Sequence, residues 1–153
     1  MKDLRIEQLA DILVNYSNEI KAGDQAVIIL YGITGMPLAQ ELYKKCVQNG
    51  AHPRIELRDS TISRIFMENA NEEQRKFLPK WQLQAAEETD AMFQILCDRN
   101  NMELAHIDQQ LMIERRKALK PISDSGLGIF PSGSMLSKEK DNPVLIAVFL
   151  LFK

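Results

Sequence analysis

Five groups of residues in this sequence have types and spacing that could do chemistry: a glycine pair, two histidines, an acidic run, an aromatic pair and two cysteines. Gly32 and Gly35 bracket Ile33 and Thr34, behind an apolar run and ahead of helical spacing. A helix N-terminus behind a glycine turn attracts anions, so a nucleotide phosphate is the first ligand to weigh. The rest of the dinucleotide fingerprint is missing, and no acidic residue of that pattern is well placed. Glycines also occupy such turns for backbone reasons alone, and that plain reading is adopted. His52 and His106 are metal-ligand types, yet a site needs three or four converging N, O or S groups, and no acidic cluster is spaced around them. Both are read as surface or hinge residues. Glu87, Glu88, Thr89 and Asp90 read as a solvated helix end and turn, and Trp81 with Phe77 as a packed aromatic pair. Cys46 and Cys97 are expected to be reduced, buried thiols.

The larger motifs of catalysis do not occur. There is no His-Glu-x-x-His, no Cys-x-x-Cys, no Gly-x-Ser-x-Gly and no phosphate loop ending in Gly-Lys-Ser/Thr. No residue is therefore assigned a catalytic, metal-binding or cofactor-binding role.

The elements that position these residues centre on residues 25–57. Ala26 to Tyr31 is an almost unbroken apolar, β-branched run, as a strand buried on both faces requires. Pro37 fits the first turn of a helix, and Leu38, Ala39, Leu42 and Cys46 form its apolar stripe. Gly50 suits a left-handed stop, Pro53 forbids continuation of the helix, and Arg54 to Leu57 is a second strand. This is a βαβ unit.

Before it, Asp3 can cap a helix with the stripe Ile6, Leu9, Ala10, Leu13 and Val14, ending near Ile20. After it, Asp59 opens a helix with Ile62, Ile65 and Phe66 expected inward. Asn71 and Gln74 form a capping-box pattern for a short helix closed by Pro79. Lys80 to Glu87 is helical in pattern, with Trp81 and Leu83 to Ala85 as packing residues. Ala91 to Cys97 is a third strand, followed by a turn at Arg99 to Asn101. Asp108 caps a helix through Leu119 that offers Leu111, Met112 and Ala118 to the core and ends at Pro121. The fold class is α/β: an open, mainly parallel sheet with helices on both faces, a three-layer, Rossmann-like arrangement.

At 153 residues with a net charge of -2, one domain is expected, without the basic stripe of a nucleic-acid binder. Asp3 and Glu7 argue against a signal peptide, and the expected location is cytoplasmic. The tail, 125–153, is rich in Gly, Ser and Pro, then charged, then bare apolar from Val144 to Phe152. Nine residues fall short of the roughly 20 that span a bilayer. The run reads either as a last buried strand or as an exposed sticky end.

Taken in order, KDLRIEQLADILVNYSNEIKAGDQAVIIL, PLAQELYKKCVQNGAHPRIEL, LPKWQLQAAEETDAMFQILCDRN and ELAHIDQQLMIERRKALKPIS make residues 1–124 resemble a known domain. It is the N-terminal domain of the aminopeptidase T and aminopeptidase S family of metallo-aminopeptidases. The resemblance implies hydrolysis of N-terminal residues from a peptide substrate by two divalent metal ions that activate a water. The family's ligands, which are glutamates, histidines, a tyrosine and an aspartate, lie in a C-terminal domain, and no position here matches one. No catalytic residue or metal cofactor is thus carried over to this chain. The resemblance stops near Ser125, so the expectation is a truncated, inactive member. Two other readings are kept. One is a binding module using the crevice near Ile33 to Met36 for a small ligand or partner domain; the other is a homo-oligomer pairing through the apolar tail.

Overall fold

A computed structural model describes residues 3–97, 104–127 and 146–149. Its elements are α1 (Leu4–Ile12), β1 (Gln25–Tyr31), α2 (Met36–Gln48), β2 (His52–Arg58), α3 (Ser60–Asn69), α4 (Glu72–Lys76), α5 (Lys80–Glu87), β3 (Ala91–Leu96), α6 (Gln109–Ala118), α7 (Lys120–Ile122) and β4 (Ile146–Phe149). The fold is α/β, with an open parallel sheet in the order β2-β1-β3-β4. Among the described residues, no helix is long and apolar enough to cross a membrane.

The described residues form two compact units. The first gathers those of Met1–Arg58, Thr89–Arg99 and Glu139–Lys153, and the second those of Asp59–Glu88 and Asn100–Lys138.

In the first unit the βαβ reading holds. Ala26, Ile28 and Leu30 of β1, with Ala91, Phe93 and Ile95 of β3, share one core with Ala10, Leu13 and Val14 and with Leu38, Ala39, Leu42 and Cys46 of α2. Val27 and Ile29, which point to the other face of β1, are equally buried. Burial on both faces is what a three-layer sheet requires and why β1 reads as a continuous apolar run. Each such side chain contributes roughly 1.5–3 kcal/mol relative to exposure. The Asp3 carboxylate caps α1 by accepting from the Arg5 N–H at 2.9 Å. A π-helical turn over Leu13–Ser17 carries the chain onward from α1. Gly50, at φ 80°, ends α2 with the left-handed turn expected of it. The apolar tail supplies a strand: Ile146–Phe149 runs parallel to β3, with Phe93 opposite Ile146.

In the second unit Asp59 caps α3, and Asn71 with Gln74 closes a reciprocal capping box at α4. The expected inner stripes need correction. On α3 Met67 is the buried residue, Phe66 is half-buried, and Ile62 and Ile65 are exposed. On α5 Ala86 is buried, whereas Trp81 is 70 % and Phe77 62 % exposed, so they are not a packed pair. Leu111, Met112 and Ala118 are half-buried, and α6 ends before Pro121, which lies in α7. The turn expected at Arg99 to Asn101 and most of 125–153 lie outside the described residues.

Candidate functional site

In an open parallel sheet ligands gather where the chain leaves one strand in each direction. That point is the C-terminal end of β1, between β2 and β3. Gly32, at φ 86°, turns the chain out of β1 in a conformation that suits glycine, and its N–H donates to the Arg58 carbonyl at 3.2 Å. A 3₁₀ turn over Ile33–Gly35 then leads into α2, with Pro37 in the first turn. Gly35 has an ordinary φ of -83°, so its glycine is explained by space. A Cβ there would meet the Cys97 sulfur and would lie 2.7 Å from both Ile95 Cγ2 and Leu30 Cδ1. The Thr34 hydroxyl donates inward to the Cys97 carbonyl at 3.2 Å, and the Cys97 N–H donates to the Tyr31 carbonyl at 3.0 Å. These contacts stitch the turn to the end of β3. The two glycines thus serve a backbone turn and a close packing contact.

A cluster that no sequence motif marks lies beside this turn. Arg58 Nε donates to Glu56 Oε1 at 2.9 Å, and Nη1 donates to the Tyr31 hydroxyl at 3.2 Å. The guanidinium carbon is also 5.8 Å from the Tyr31 ring centroid. Burial works against the charge of Arg58, but Tyr31 and Glu56 outweigh it and hold the group above its ordinary value. The signal in the sequence was the period of two, Arg54, Glu56, Arg58, which sets three charges on one face of β2.

The remaining candidates are dispersed. His52 begins β2, where its N–H donates to the Asp24 carbonyl at 2.7 Å. His106 Nε2 lies 2.8 Å from Glu68 Oε1, and Arg64 flanks the same carboxylate at 3.4 Å. In the acidic run, Glu88 accepts from Gln84, Thr89 from Arg54, and Asp90 from the Gln25 N–H at 2.8 Å. The Asp90 N–H in turn donates to the Gln25 carbonyl, so this residue fastens the starts of β1 and β3 together. Cys46 and Cys97 are both free and buried. Burial pushes the Cys46 thiol up to about 11. Among the described residues, no three of His, Cys, Asp and Glu converge as metal ligands. The described residues therefore do not fit a two-metal centre.

The sequence profile of the thermophilic metalloproteases (M29) matches residues 2–127. Curated proteins give no match. Among solved structures, wild-type AmpT from Thermus thermophilus is similar over 82 % of this chain, with a TM-score of 0.64 and 19 % identity. At that identity the likeness shows the fold. This chain spans 33 % of the length of that structure. The match to the family profile covers most of the sequence, and the chain belongs to the M29 family of thermophilic metalloproteases.

Proposed function

We propose that this chain is the N-terminal α/β domain of a metal-dependent aminopeptidase and that it does not hydrolyse peptides by itself. The observation that carries this reading is the pairing of an M29 match over residues 2–127 with a set of described residues in which no metal-ligand group converges. Water activation by two metals needs several carboxylate and imidazole ligands within a few ångströms of one another. Several of these groups have other tasks: Asp3 and Asp59 cap helices, Asp90 fastens the starts of β1 and β3, and His106 pairs with Glu68. The switch-point turn supports a scaffolding role, because Gly35 and Thr34 spend their contacts on β3. In the assembled enzyme such a domain would wall one side of the peptide cleft while the metal-bearing part carries out the hydrolysis.

The test is aminopeptidase activity of the purified chain on a panel of aminoacyl-p-nitroanilides with cobalt, zinc or magnesium added. No turnover with any metal is the expected result. Metal-dependent turnover that follows the chain through successive purification steps would overturn the reading.

A further inference from the structure

We propose that the outer edge of β2 is a self-association surface, pairing antiparallel with β2 of a second copy about a two-fold axis at Ile55. The backbone sets the geometry. The His52 N–H donates to Asp24 and the Arg58 carbonyl accepts from Gly32, so residues 52, 54, 56 and 58 turn their peptide groups toward β1. Pro53, Ile55 and Leu57 therefore turn theirs outward, and among the described residues no strand pairs with that side. Pro53 occupies an outward position, where a missing N–H breaks no bond to β1.

The side chains favour pairing over solvation. Ile55 is 37 % and Leu57 52 % exposed, on the face that Ile28 and Leu30 share with α2. Pro53 and the charges at Arg54, Glu56 and Arg58 discourage indiscriminate pairing at this edge, so it accepts only a strand that complements those charges.

Charge order selects the occupant. About an axis at Ile55, Ile55 meets its own copy and exchanges two backbone hydrogen bonds. The Leu57 N–H of each chain meets the Pro53 carbonyl of the other, which makes four bonds in all. Arg54 then stands opposite Glu56, and Glu56 opposite Arg54. These are the non-hydrogen-bonded pairs, where side chains of an antiparallel ladder come closest. A parallel in-register arrangement would instead set arginine on arginine. A guanidinium has five donors, so Arg54 can keep Thr89 while it meets a carboxylate. A second copy of this chain is the partner whose sequence supplies this complement, and a two-fold contact uses one patch on both molecules.

The proposal is independent of the catalytic reading. Its test is sedimentation of the full chain at high micromolar concentration, where a dimer is expected. Arg54→Glu and Glu56→Arg each place like charges opposite one another and should give monomers. The double variant Arg54→Glu/Glu56→Arg exchanges the signs and should restore the dimer. Backbone amide exchange needs no substitution: protection of Ile55 and Leu57 should rise with protein concentration. A monomeric wild type, a dimer indifferent to both single variants, a double variant that stays monomeric, or concentration-independent exchange at both amides would overturn the proposal.

Discussion

Gly35 lies against Cys97 so closely that the side chain of any other residue would intrude on the sulfur. This contact joins the turn after β1 to the end of β3, across 62 residues of sequence. It also separates two meanings of a glycine at a strand-to-helix turn. A phosphate cradle keeps glycine so that a ligand can approach; here neighbouring side chains already fill the space.

Gly35→Ala should therefore destabilise the first unit by about 1–3 kcal/mol, as overpacking does in a close-packed interior. Cys97→Ala in the same chain should recover only part of the loss, because Ile95 and Leu30 also stand 2.7 Å from the new Cβ. A double-mutant cycle by urea unfolding measures both numbers. Full tolerance of alanine would return the turn to the ligand reading.

The Cys46 thiol offers a test of burial through pH. Its value is raised from 9.0 to about 11 by desolvation alone. A group whose native value is raised stabilises the fold fully below its unfolded value and less as pH climbs toward the native one. Stability should fall between pH 9.0 and about 11, and Cys46→Ala should show a shallower loss across that window. At neutral pH the thiol should react with a disulfide reagent only after unfolding.

The βαβ unit was legible because its signals are local: an unbroken apolar run, a stripe at helical spacing, a glycine stop and a proline. The capping box at Asn71 and Gln74 was legible for the same reason. The burial of α3 and α5 was not. An apolar stripe tells which residues could face a core, and only the tertiary partner decides which do, so Met67 and Ala86 are buried where Ile62 and Trp81 were expected. The run at Val144 to Phe152 held two readings because the pairing of Ile146–Phe149 with β3 is set about 50 residues away. The Tyr31–Arg58 contact was not legible, because it depends on the register of β1 against β2.

Arg115 links three parts of the second unit. Its guanidinium carbon stands 4.9 Å from the Phe66 ring centroid, while Nη1 donates to the carbonyls of Phe77 at 2.7 Å and Arg75 at 3.0 Å. Arg115→Ala should cost roughly 1–3 kcal/mol, because it leaves carbonyls without a charged donor. Arg115→Lys should recover less than half of that. A point charge on a flexible stem cannot lie flat on the ring and reach both carbonyls as a planar fork does. Thermal unfolding of the three proteins decides it, and equal stability of the lysine and arginine forms would show that charge alone suffices.

The Glu68–His106 contact predicts the acid limb of the stability profile. The hydrogen bond from His106 holds the Glu68 carboxyl below its ordinary value of 4.5, with a smaller contribution from Arg64. A carboxylate with a depressed native value stabilises the fold above its unfolded value and loses that effect as pH falls through the native one. Wild type should therefore melt above Glu68→Gln at neutral pH, and the gap should close as the pH drops below 4.5. His106→Ala should reproduce the gap in the presence of Glu68 and add little in its absence, which isolates the pair. The contact is exposed, so raised salt should shrink the difference. A gap that persists unchanged at low pH would mean that Glu68 acts through packing and not through its charge.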